Sequence, residues 1–341
     1  MLADEFISYI AGIRRYSVRT REIYAAVLRE FAEFVADDGK DIDDDRLTSA
    51  LTQTEIRNYE YHLAEERKLD ARTINQHLSV ISRFCRWLMG KGVLKSNPAH
   101  LVKRPKCEKR LPEFYREESM QDYFRNSSYE ADQEAFEELM SIASATRGGT
   151  ECGKSAEKRM EELYNARLRR LIIDILYQTG MRRAELISLR TRSIDFSRAI
   201  TTVLGKGDKM REIPMTSSLS SEISLYLKAA ETIAGRKRAP EEPLLTTFSG
   251  IALYPVFVDR AVKKELGTVD DITGRKSPHV LRHTLATELL NDGADIYSIK
   301  ELLGHSSLAS TQVYTHTTVE KLKKVYNNAH PRAKRGGKNG D

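Results

Sequence analysis

The stretch Ala71–Gly90, ARTINQHLSVISRFCRWLMG, places Leu78, Ile81, Phe84, Cys85 and Leu88 on one face at helical spacing and ends on a glycine. The other side of that helix carries Arg72, Arg83 and Arg86. Such a run of charge is either a solvated face or a surface for an anionic partner. Upstream, from Thr20 onward, Tyr24, Val27, Leu28, Phe31, Phe34 and Val35 form a second apolar stripe facing a core. A further helix is expected over Thr54–Lys68, so the first hundred residues read as wholly helical.

Downstream comes Lys103–Pro112, KRPKCEKRLP, rich in basic residues and holding two prolines. Proline restrains the chain to extended conformations, so this segment reads as a linker. Its Lys103, Arg104 and Lys106 are candidates to follow a phosphate backbone. The expected organisation is a helical domain over 1–102, the basic linker over 103–112, a second domain over 113–333 and a disordered tail over 334–341. A length of 341 residues accommodates two such domains. A net charge of +6 leans toward a polyanionic partner. Cys85, Cys107 and Cys152 are odd in number and scattered, as expected of free thiols in a reducing cytosol. The N-terminal MLADEFISYIAG lacks the apolar run of a signal peptide, and nothing approaches the roughly 20 apolar residues of a membrane span. A cytoplasmic protein without a membrane partner is the expectation.

In the second half, residues 127–164 are acidic and polar, and read as two helices with a mobile loop over Thr146–Ser155. A separate apolar helix follows, with Leu168, Leu171, Ile172, Ile175 and Leu176 along it and Gly180 at its end. Ala199–Leu204 and Met210–Met215 flank Gly205-Lys206-Gly207-Asp208 as a β-hairpin. Three short helices are expected near Pro278–Leu290, Asp295–Leu303 and Ser307–Val325. The fold class is therefore mainly α with a small β-sheet.

The chain has no HExxH, no paired CxxC and no Walker loop, which argues against metal- or nucleotide-driven chemistry. What remains is a set of basic and imidazole side chains at the ends of elements. In Ser277-Pro278-His279-Val280-Leu281-Arg282-His283, Pro278 suits a first helical turn and sets His279 and Arg282 at i and i+3. The unpaired N–H groups and positive dipole there favour a phosphate. A capping histidine and a surface arginine explain the same residues without chemistry. Gly304 suits a left-handed helix cap and puts His305 on a tight connection. Tyr314 falls in the helix expected beyond; a tyrosine there is either a packed aromatic or, if activated, a nucleophile. Arg182, in TGMRRAEL, follows a helix-ending glycine and offers a planar fork for two phosphate oxygens. Lys206, at the hairpin tip, is placed to donate a proton if neighbouring arginines depress its pKa.

In that order these motifs resemble the tyrosine recombinases, in particular the Xer-like integrases. The family's series of Arg, Lys, His-x-x-Arg, His or Trp, and Tyr is filled here by Arg182, Lys206, His279, Arg282, His305 and Tyr314. RTINQHLSVISRFCRWL and the following KSNPA are similar to the family's SAM-like core-binding domain. The resemblance spans nearly the whole chain except residues 127–164, which are longer than a compact member needs.

The resemblance implies a catalytic domain of mixed α/β structure and a site-specific recombinase that needs no cofactor. Tyr314 would join the 3′ side of the cut, Arg182 and Arg282 would hold the non-bridging oxygens, and His305 would hydrogen-bond the phosphate. His279 would take the tyrosine proton or hold the phosphate, and Lys206 would protonate the leaving 5′-oxygen. It also implies double-stranded DNA as partner, and a tetramer on DNA formed through the segment after Tyr314. A type IB topoisomerase shares most of this constellation, and a helix-turn-helix DNA-binding protein without chemistry is the alternative outside enzymes.

Overall fold

The computed structural model describes residues 1–36, 43–107, 113–126, 129–147, 153–205 and 209–304. The chain divides into two compact units, Met1–Arg110 and Leu111–Asp341, so the division falls inside the basic segment 103–112.

In the first unit, α1 (Leu2–Gly12), α2 (Val18–Val35), α3 (Asp44–Ser49), α4 (Gln53–Tyr61) and α5 (Ala71–Gly90) surround one core. Ser17, Asp43, Thr52 and Asp70 start four of them, each side chain accepting the N–H three residues on. The apolar stripe of α5 is buried as its spacing requires, against Phe6, Ile10, Leu28, Phe31 and Tyr59. The helix expected over Thr54–Lys68 begins one residue earlier and changes character. After Tyr61 it widens into a π-turn over His62–Glu66 and ends there, with Lys68 beyond it at φ +51°.

Arg72, Arg83 and Arg86 stand exposed on α5, and Lys103, Arg104 and Lys106 are exposed as well. The basic segment does not leave the unit at once. Asn75 Nδ2 donates to the Pro105 carbonyl at 2.9 Å, and Arg104 Nη1 donates to Ser79 Oγ at 2.7 Å. Residues 103–107 therefore run back along the polar face of α5, and the rest of the segment lies outside the described residues.

The second unit holds α6 (Glu117–Asn126), α7 (Tyr129–Arg147), α8 (Lys154–Thr179), α9 (Arg183–Ser188), β1 (Ile194–Asp195), β2 (Ile200–Leu204) and β3 (Met210–Pro214). α10 (Ser217–Ala234), α11 (Pro255–Glu265), α12 (Pro278–Asn291) and α13 (Ile296–Leu303) complete its described part. The axis is α8, against which α7, α9, α10, α11 and α12 all pack. From Leu171 to Thr179 every residue of α8 is buried, which is what a helix enclosed on all sides requires.

Here the structure differs from the sequence reading. The second acidic helix and the apolar helix are one 26-residue element, because between Lys154 and Thr179 there is no glycine or proline to break it. Its first half, exposed on one side and burying Met160, Leu163 and Tyr164 on the other, pairs with α7 through Arg159, which donates to both oxygens of Glu138 at 2.8 Å. Of the loop expected over Thr146–Ser155, residues 148–152 lie outside the described residues.

The expected hairpin is present. β2 and β3 pair antiparallel with Thr201 opposite Ile213 and Leu204 opposite Met210, and β1 adds a short third strand at the edge of β2. The helices near Pro278 and Asp295 are α12 and α13; the one expected over Ser307–Val325 lies outside the described residues. Among the described residues, no helix is long and apolar enough to cross a membrane.

Candidate active site

Gly180 ends α8 in the left-handed conformation with φ +59°. A Cβ there would stand 2.6 Å from Leu303 Cδ2 and 2.9 Å from Leu285 Cδ2, so a larger residue would displace both leucines and be strained by φ as well. At this point the end of α8 meets α12 and the end of α13.

Arg282 of α12 locks that junction. Its Nη1 donates to the Gly180 carbonyl and its Nη2 to the Leu303 carbonyl, both at 2.6 Å. The side chain is only 7% exposed, so the reading of Arg282 as a surface arginine is wrong. Burial, and then the charges of Arg182 and Arg211, pull its pKa down to about 10, which leaves it charged at neutral pH. His279, one turn earlier, is exposed. Partial burial of its ring and the charges of Arg183, His283, Arg282 and Arg275 lower its pKa, which favours the neutral imidazole that can accept a proton.

Arg182 caps α9. Its Nη1 donates to Glu185 Oε1 at 2.8 Å and its Nη2 to the Gly304 carbonyl at 2.9 Å. Its backbone N–H donates to Glu185 Oε2 at 2.8 Å. The same carboxylate takes both ends of the Arg211 fork, at 2.9 Å on Oε1 and 2.8 Å on Oε2, while Arg211 Nε donates to the Leu302 carbonyl at 3.0 Å. Burial works to raise the pKa of Glu185, but the bonds and charges of Arg211 and Arg182 outweigh it and hold the carboxyl down to about 2.

The last three carbonyls before His305, those of Leu302, Leu303 and Gly304, thus accept from Arg211, Arg282 and Arg182 in turn. A helix end leaves these carbonyls without intrahelical partners and carries partial negative charge, so guanidinium groups suit it on both counts. Three guanidinium groups face one carboxylate, and the cluster keeps a positive excess suited to a phosphate. Beneath it, Tyr177 Oη donates to Glu288 Oε1 at 3.0 Å and ties α8 to α12. Burial pushes the Glu288 carboxyl up to about 8, so it is protonated at neutral pH.

Of the six residues singled out from the sequence, Arg182 and Arg282 lie in one network, with His279 beside it. Lys206, His305 and Tyr314 lie outside the described residues. Sequence reasoning missed Glu185 and Arg211. Glu185 carries a signal, since a glutamate three residues after a helix cap commonly folds back on it. Arg211 shares the inward face of β3 with Ile213, where a charge requires a buried partner.

Residues 154–321 match the phage integrase family, and residues 2–93 match the N-terminal SAM-like domain of phage integrases. A tyrosine recombinase XerC of Chlorobaculum parvum is 31% identical over 334 residues, which cover 97% of this chain and 94% of the relative. The XerC of Bacillus licheniformis is 33% identical over 337 residues, covering 97% and 96%. Among solved structures, the Tn1549 transposon integrase in complex with transposon right end DNA superposes with a TM-score of 0.58 at 16% identity, covering 95% of this chain and 98% of that one. XerH bound to a palindromic difH substrate does so with a TM-score of 0.57 at 17% identity, covering 94% and 82%. With the arginine cluster on a fold of this kind, and relatives matched along nearly their whole length, the chain belongs to the phage integrase family of tyrosine recombinases.

Proposed function

We propose that this site-specific recombinase cuts one strand of duplex DNA with Tyr314 and reseals it to a new partner through a 3′-phosphotyrosine. The observation that carries the reading is the convergence of Arg182 and Arg282 on the Gly304 and Leu303 carbonyls, at the end of α13 just ahead of His305. The relatives solved on DNA support DNA as the substrate class. The Tyr314 hydroxyl oxygen attacks phosphorus, its proton passing to His279. The bond to the 5′-oxygen breaks, and Lys206 gives that oxygen its proton. Arg182 and Arg282 neutralise the charge that grows on the non-bridging oxygens, and His305 hydrogen-bonds one of them. This is electrostatic work that a metal ion does in other phosphoryl-transfer enzymes, so the reading needs no metal, and the phosphotyrosine conserves the energy of the bond, so it needs no ATP.

We assign residues 1–102 to DNA binding and 113–333 to the chemistry, with 103–112 joining them. Arg72, Arg83, Arg86, Lys103, Arg104 and Lys106 contact the DNA backbone in this reading, and residues 317–333 hold four protomers together on two duplexes. The test is covalent capture from a library of nicked random-sequence duplexes. A detergent-stable adduct enriched in one sequence is expected, and a chain that captures nothing, or captures without sequence preference, contradicts the reading.

Two further results follow on the captured sequence. Lys206→Ala is expected to slow single-turnover cleavage about 100-fold or more, as the loss of a proton donor does. A 5′-bridging sulfur leaves without a proton and is expected to restore most of that rate; no restoration would leave Lys206 as a positioning group. For the basic face, changing Arg72, Arg83 and Arg86 to Gln is expected to flatten the salt dependence of binding by roughly 0.9 in log–log slope for each arginine that meets a phosphate. An unaltered slope removes α5 from the interface.

A further inference from the structure

Arg211 is 4% exposed, and its guanidinium joins Glu185, the partner of Arg182, to the end of α13. Its fork spans both oxygens of Glu185, whose remaining capacity is taken by the side chain and backbone of Arg182. Its Nε holds the Leu302 carbonyl, three residues before His305. The backbone before His305 fits closely around it: a Cβ on Gly304 would stand 3.0–3.1 Å from three atoms of the guanidinium.

We propose that Arg211 is a positioning residue for strand cleavage, acting through Glu185 on Arg182 and through the Leu302 carbonyl and Gly304 on the segment that enters His305. The role requires arginine. A planar fork meets both carboxylate oxygens while its third nitrogen faces a carbonyl set at an angle to them, and an ammonium group has no such fixed geometry. Without the fork, Glu185 is left with Arg182 alone and the two close into a tighter pair. That pair turns Arg182 away from the phosphate it is to neutralise.

The inference rests on the cleavage reading above, and the experiment separates the two. If the wild-type chain forms no adduct, the cleavage reading fails and Arg211 is not what failed. With wild-type cleavage established, Arg211→Lys is compared with wild type in the full-length chain on two nicked substrates. One carries the ordinary scissile phosphodiester, the other a methylphosphonate there. The methylphosphonate has no anionic non-bridging oxygen, so it draws less from a correctly aimed Arg182. On the phosphodiester the variant is expected to bind within about 3-fold of wild type and to cleave about 100-fold more slowly, at the low end of the range for a lost charge-stabilising donor. On the methylphosphonate the deficit is expected to shrink to about 5-fold or less, because the methyl group removes one of the two charged non-bridging oxygens that the arginines neutralise in the transition state. An equal deficit on both substrates, or none on either, overturns the proposal. If Arg211→Lys does not reach the wild-type circular dichroism spectrum, Arg211→Gln enters the same comparison. Failure of both to fold assigns Arg211 to stability alone and overturns the proposal as well.

Discussion

Tyr314→Phe is expected to fold and to bind DNA as the wild type does, and to form no covalent adduct with it. The change removes one hydroxyl and keeps the ring, so a packing role for Tyr314 survives while a nucleophilic one does not. The chemistry has no substitute for that oxygen. A neighbouring hydroxyl would have to reach phosphorus in line with the leaving 5′-oxygen, and in-line geometry is worth many orders of magnitude in rate. The measurement is adduct yield on the nicked captured duplex, read by denaturing gel beside a binding titration on the same DNA. Adduct from the phenylalanine variant at the wild-type yield would place the nucleophile elsewhere.

The second large effect belongs to Arg282, and it divides between stability and rate. Arg282→Met removes the donors to two carbonyls, those of Gly180 and Leu303, at a junction where three helices meet. A buried carbonyl left without a partner costs about 1–3 kcal/mol, so the melting temperature should fall clearly. Cleavage should fall further than stability explains, by about 100–1000-fold for each lost donor to the developing charge. Arg182→Met provides the control. Its side chain is 33% exposed and reaches only one backbone carbonyl, so its loss should cost less stability and a comparable amount of rate. A rate loss in Arg282→Met that disappears once the unfolded fraction is removed would leave that arginine structural.

The helical character of the first unit was open to reading because its signals are local. Ser17 and Asp70 cap helices whose apolar residues recur at the right interval, and the structure buries those residues. The hairpin was legible from β-formers around a glycine-rich tip, and Gly180 and Gly304 from their places after apolar helical runs. The two-residue strand β1 was not, since alternation needs more than two positions to show. Nor was the length of α8, because its acidic half and its buried half have different compositions and nothing in the sequence marks them as one helix.

In the site, the resemblance named Arg182 and Arg282, but local pattern could not say that Arg282 is buried. Its partners lie 102 and 21 residues away, in Gly180 and Leu303. Arg211 and Glu185 form a contact 26 residues apart across a hairpin and a helix start, and only the tertiary fold shows it. Long-range polar networks of this kind leave little periodic trace. Each member, taken singly, resembles an ordinary surface residue.

In this mechanism Tyr314 becomes joined to the 3′-phosphate of the cut strand. The most direct measurement is to trap the adduct on the nicked captured duplex, digest the protein, and locate the DNA-linked residue by mass spectrometry. One linked peptide is expected, containing Tyr314, attached through a 3′-phosphate, with a free 5′-hydroxyl on the other strand end. A link to any other residue, or through a 5′-phosphate, would contradict it.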